Sequence, residues 1–186
     1  NYTPDRLHNE YLNTLATKGI LGFIAYYILF IGGSGILILK EIKRKFIMNS
    51  ELVKKFFEHM SNGDIDSAMS FLDEDHVNHD MGTGMVQTGL EENRADMENW
   101  TNTFSDMKVE VLNNVESGNT VVTEMKMSGV NTGDMEMPDG SKIPATGKSV
   151  EMRGCQVAEF ENGKMTKATQ YYNMMTMMAQ LGLMPE

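Results

Sequence analysis

Residues 104–130 read FSDMKVEVLNNVESGNTVVTEMKMSGV. Up to Asp106 the apolar residues recur every three or four positions; beyond it they alternate, Met107, Val109 and Val111 against Lys108 and Glu110. That change of period marks a switch from helix to strand, and the Gly118–Asn119 pair in the middle of the run supplies a hairpin turn. Two more alternating runs follow, KSVEMRGCQVAEF at 148–160 and KMTKATQYYN at 164–173, joined by the turn signal ENGK at 161–164. Working back toward the N-terminus, Leu52, Val53, Phe56, Phe57 and Met60 have helical spacing, and Asp64 can cap a second short helix carrying Ile65, Ala68, Met69 and Leu72. A short strand, HVNHD at 76–80, leads into a loop around Gly82 and Gly84, and a third helix spans 88–104 with Leu90, Met97, Trp100 and Phe104 on its apolar stripe. A last helix, MMTMMAQLG, stops at Gly182. Helices first and an antiparallel meander afterwards predict an α+β fold with helices on one face of a bent sheet.

Composition divides the chain at residue 47. Residues 1–47 hold six Lys/Arg against three Asp/Glu, whereas residues 48–186 hold ten against 23, and all 18 methionines lie at or beyond Met48. The acidic part lacks the clustered basic residues of a nucleic-acid site, so nucleic acid is excluded as a partner. Its single cysteine, Cys155, can form no internal disulfide, and no Cys/His spacing suggests a metal. In the N-terminal part, residues 19–39 contain no charge and as a helix would cover roughly 30 Å, about one hydrocarbon core. The basic run KEIKRK at 40–45 follows this span, which predicts a transmembrane helix with a cytoplasmic C-terminal flank and a cytoplasmic domain at 48–186. The stretch RLHNEYLNTLATKGILGFIAYY resembles the O-antigen ligase and polymerase family, with Arg6 and His8 at the matching positions. Because Met48 opens a new run, MNSELVKKFFEHMSNGD, residues 1–47 read as the tail of another gene product joined to the domain.

The larger part also carries a resemblance. NHD…TGL, then W…FSDMKVEVLNNVESGNTVVTEMKMSGVNTGD, then IPATGKSVEM, then ENGKMTKATQYYN…QLG resemble, in that order, the SnoaL-like polyketide cyclases of the NTF2-like superfamily. The resemblance implies a cone, a curved sheet closed by helices around an apolar pocket. It further implies an intramolecular aldol closure without metal or cofactor, in which a carboxylate near the end of the last strand moves the proton. Counted back from QLG at 180–182, that position falls on Asn173. An amide cannot exchange a proton at neutral pH, although it can orient a carbonyl.

The candidate residues follow from strand parity. If Val77 points into the cone, His79 does too, as an acid/base group or as a hydrogen-bonded pocket or turn residue, and His76 faces solvent. Asp80 is a turn or capping residue or a second catalytic group. On the last strand Tyr171 and Asn173 share the face of Thr169, giving a polar patch or, for Tyr171, packing. Trp100, Met97, Phe104, Met125 and Met127 line the pocket or fill the core. Arg153 points away from the pocket. The loop 131–148 is a lid, a partner contact or an extended hairpin. Two functions are open: a cyclase or isomerase acting on a small apolar carbonyl compound, and a non-catalytic module that holds a hydrophobic ligand or forms a homodimer. A membrane-tethered glycosyltransferase component would rest on residues 1–47 alone.

Overall fold

The computed structural model describes residues 48–136 and 140–184. The span expected at 19–39, with Arg6 and His8, lies outside the described residues; among those described, no helix is long and apolar enough to cross a membrane.

Helix α1, Asn49–Ser61, buries Val53, Phe56 and Phe57, and α2, Ile65–Met69, buries Ala68 and Met69. Asp64 caps α2 as its position suggests, accepting from the Ser67 N–H at 3.2 Å. Met48 offers α1 no such cap. Its free N–H groups are met from across the fold: Glu116 accepts from Asn49 N at 3.1 Å and from Ser50 N at 2.9 Å. Partial burial pushes the Glu116 carboxyl up, but the Ser50 and Asn49 bonds outweigh it and hold it below its ordinary value.

Six strands form the main sheet in the order β2-β1-β8-β7-β4-β3. They are β1 Leu72–Asp80, β2 Val86–Thr88, β3 Phe104–Ser117, β4 Thr120–Asn131, β7 Ser149–Glu161 and β8 Lys164–Tyr172. Every neighbouring pair is antiparallel except β1 and β8, which run parallel. The four long strands sit where the alternation places them, and Asn162 and Gly163, at φ 51° and 76°, make the β7–β8 turn with the positive angles that a tight hairpin requires. The pairing of β3 with β4 slips between Ser105 and Lys108, around Asp106 at φ 52°, and again between Val111 and Asn113. Such bulges sharpen the bend of a sheet, so the residue where the sequence changes period is also one where the sheet turns. The segment after β4 is an extended hairpin of β5, Met135–Glu136, and β6, Lys142–Ile143. Asn131 pins its base, donating to Thr103 O and Gly133 O and accepting from the Thr146 N–H at 2.7 Å.

Helix α3, Gly89–Thr103, packs on β1, and α4, Met174–Leu181, packs on β7. Two apolar clusters result. One joins α1, α2 and Met97 to Val121, Met125, Phe160 and Met165; the other joins Phe104, Val150 and Met152 to Met177 and Leu181 of α4. Removing the remote cap by Glu116→Ala should lower unfolding free energy by about 1 kcal/mol at neutral pH. The difference should vanish in acid, where the carboxyl is protonated in both folded and unfolded chains; denaturant titrations at the two pH values measure it.

Candidate functional site

Between the inner face of the sheet and α1, α3 and α4 lies a cavity of about 120 Å³. Its wall is mostly apolar, with Phe56, Phe57, Val109 and eight methionines. Met97, Trp100, Phe104, Met125 and Met127, all proposed from the sequence, line it. Trp100 stacks on Phe104 with ring centroids 5.7 Å apart and stands nearly perpendicular to the Tyr172 ring at 6.4 Å.

The polar lining comes from the faces opposite to those expected. On β1 the inward residues are His76, Asn78 and Asp80, each buried, while Val77 and His79 occupy the other face. On β8 the inward residues are Ala168, Gln170 and Tyr172, whereas Tyr171 is 48% exposed. Asn173 is not in the cavity either: it is exposed and caps α4, its Oδ1 accepting from the Thr176 N–H at 3.2 Å. A shift of one residue in parity exchanges the whole faces. The expectation rested on Val77 as the apolar, hence inward, residue. It fails because His76, Asn78, Asp80, Gln170 and Tyr172 each find a partner, which removes the penalty that normally keeps such groups out.

Those partners form a connected set. Gln170 Nε2 donates to Asn78 Oδ1 at 3.4 Å, Asn78 Nδ2 donates to Gln87 Oε1 at 3.0 Å, and Gln87 Nε2 donates to Asp96 Oδ1 at 3.3 Å. Since a carboxylate only accepts, Asp96 sets the direction of every amide in this row. Asn93, one helical turn before Asp96 and Met97, fastens α3 to the sheet by donating to His76 O and Gln87 O, and also donates to Gly89 O within the helix. The imperfect apolar stripe of α3 was the available signal: its gaps are the inward Asn93 and Asp96. Gln87 and the short strand β2 left no pattern to read.

Asp80 closes the other side. Its Oδ1 accepts from the Gly82 and Thr83 N–H groups at 2.8 and 3.0 Å, and its Oδ2 accepts from the Tyr172 hydroxyl at 2.9 Å. Any side chain at position 82 would collide with the Tyr172 ring, which is why a glycine stands there. Burial, reinforced by the charge and hydrogen bond of Asp80 and by the charge of Asp96, pushes the Tyr172 phenol above its ordinary value and keeps it protonated. His76 is also fixed. Burial holds its pKa below the ordinary value against the opposing bond to Met165 O, and that bond, at 2.9 Å, requires the proton on Nδ1 and leaves Nε2 an acceptor.

Asp96 is the group with a working pKa. Burial first, and the nearby Asp80 charge second, push its carboxyl up to about 6. The implied terminal-strand carboxylate is absent from the inward end of β8, where Gln170 and Tyr172 stand; the cavity receives its carboxyl from a helix instead. Among the described residues no three His, Cys, Asp or Glu side chains converge to hold a metal ion.

A curved sheet and helices closing on an apolar pocket define the NTF2-like, ketosteroid isomerase-like class of α+β domains. The chain belongs to the SnoaL-like polyketide cyclase family, whose profile matches residues 51–181. Solved structures agree on the fold. A SnoaL-like polyketide cyclase candidate from Jannaschia sp. CCS1 superposes with a TM-score of 0.64 at 17% identity, over 74% of this chain and 93% of that one. IdmH, a polyketide cyclase candidate from Streptomyces antibioticus, gives 0.62 at 23% identity, over 73% and 99%. A Catenulispora acidiphila protein of ketosteroid isomerase-like fold, solved with trimethylamine, gives 0.62 at 16%, over 72% and 94%. No match is found among curated proteins. The likeness of residues 1–47 to O-antigen ligases gains no support.

Because the folded pKa of Asp96 lies above that of an unfolded aspartate, the group favours folding below about pH 4, and its cost is complete above about pH 6. Asp96→Asn should therefore stabilise the protein at pH 8 by on the order of 2 kcal/mol and give no gain at pH 4. Urea unfolding at both values decides this.

Proposed function

We propose that the domain is a cofactor-independent enzyme of the cyclase or isomerase type, in which Asp96 removes a proton next to a carbonyl of a small apolar compound and returns it elsewhere. The observation that carries this reading is a carboxyl in an apolar cavity, raised to about 6 and without a cationic partner among the described residues. A base of that pKa is ionised at neutral pH yet basic enough to accept a proton from carbon in an environment that excludes water, and its conjugate acid can deliver the proton in the next step. The substrate's developing enolate oxygen needs donors. Asn78 and Gln170 each commit one amide hydrogen to the polar row and keep a second for the cavity they line. Tyr172, whose hydrogen is committed to Asp80, presents ring and oxygen lone pairs, and His76 presents Nε2 as an acceptor.

In this scheme Asp96 takes the role that the sequence resemblance gave to the last strand, and Asn173 and His79 take none. Holding a ligand without chemistry is the competing reading, and the two differ in one measurement. Exchange of the α-hydrogens of cyclohexanone for deuterium, followed by NMR in D2O, should be accelerated by the protein, with a rate that rises through about pH 6 and then levels off. Asp96→Asn should lower the protein-dependent rate by at least about 100-fold, whereas His79→Ala leaves it unchanged. Exchange by Asp96→Asn at the wild-type rate would overturn the assignment.

A further inference from the structure

Among the described residues nothing covers the outer face of the sheet. The helices pack on the inner face, through Val53, Phe56, Met97, Met177 and Leu181 in the two apolar clusters. Across the outer face the strand registers align one row of side chains: Val115 opposite Val122, Val122 opposite Val157, Val157 opposite Thr169, Thr169 opposite His79, and His79 opposite Val86. The row crosses all six strands and is mostly valine. Val115 is 57% exposed, Val86 52% and Val122 39%, and the exposed Tyr171 follows two residues after Thr169 on the same face. Single exposed apolar side chains are ordinary, whereas a continuous row of them marks a contact surface.

Charge decides what the contact is with. Beside the row the charges come paired: Arg153 with Glu124 at 3.3 Å, Lys167 with Glu159 at 3.5 Å, and Lys126 with Glu110 at 3.0 Å and Glu151 at 3.7 Å. These pairs hold three of the ten Lys/Arg of residues 48–186 and four of the 23 Asp/Glu, leaving seven against 19 elsewhere. A second copy, itself acidic, is repelled by the rest of the domain and meets almost no net charge here. The row also suits its own copy. With Val115 at one end and Val86 at the other, a two-fold axis through its middle and normal to the face lays apolar on apolar. The same rotation brings the side bearing Arg153 and Glu124 over the side bearing Lys167 and Glu159, so each side offers an acid and a base to the other. Six strands and four flanking rows span roughly 24 by 20 Å, which gives the about 1,000 Å² in total that a specific contact needs. We infer that two copies of this chain associate through these outer faces, with the valine row at the centre of the contact and the ion pairs at its rim.

Sedimentation equilibrium of the full chain at about 100 µM, in a density-matched detergent that keeps the apolar residues 19–39 dispersed, should give twice the mass of one chain. Val122→Glu sets a carboxylate from each copy into the centre of the contact and should raise the dissociation constant at least about 100-fold, so that the single-chain mass is found. Val115→Glu, on the edge strand, should act in the same direction and replaces the first variant if that one does not fold. Leu90→Glu, at an exposed position on α3, should leave the dimer intact. A single-chain mass for the unaltered protein would overturn the inference. So would a dimer that both row variants leave unchanged, since association would then run through another surface.

Discussion

The structure depends on a buried carboxylate at the end of β1. Asp80 gathers two N–H groups of the following loop and the hydroxyl of Tyr172, so one side chain fixes a turn, the end of the last strand and the orientation of an aromatic wall. These bonds join β1 to its parallel neighbour β8, the pair with the most distant sequence partners in the sheet. With Asp80 satisfied, the face it lies on can point inward, and His76 and Asn78 go with it. The polarity of the cavity follows from that choice.

The same carboxylate acts through space on its neighbours. Burial first and the nearby Asp80 charge second disfavour ionisation of Asp96, whose single long bond from Gln87 does little to offset them. Asp96 is thereby left with a pKa in the range where a proton can be taken and given back. Tyr172 lies between hydrogen bonding to Asp80 and ring contact with Trp100, so the phenol is part of the electrostatic arrangement as well as of the wall.

Much of the architecture could be read from the sequence. The long strands announced themselves by alternation, ENGK by its turn chemistry, and α1, α2 and α4 by apolar spacing with Asp64 and Gly182 at their ends. The apolar lining was readable for the same reason: Met97, Trp100, Phe104, Met125 and Met127 lie on faces that hydrophobicity alone identifies. The polar part was not. Strand parity tells which residues share a face, and it needs an apolar marker to tell which face is inside; on β1 that marker, Val77, lies on the outer face. On β8 the adjacent Tyr171 and Tyr172 are indistinguishable until Gly82 makes room for the ring of one of them. Likewise Asn173 sits where a short helix needs a cap, a local demand that counting from the C-terminal motif could not reveal.

The methionine-rich wall bears on how such a domain changes its chemistry over generations. Thioether chains with three rotatable bonds can re-form around guests of different outline at little energetic cost, leaving the backbone where it is. The polar groups in and around the cavity are then a handful of amides and acids on β1, β2, β7, β8 and α3, while the greasy walls adapt. Diversification along this lineage can thus proceed by exchanging single polar side chains, each altering what the hollow accepts without a new scaffold.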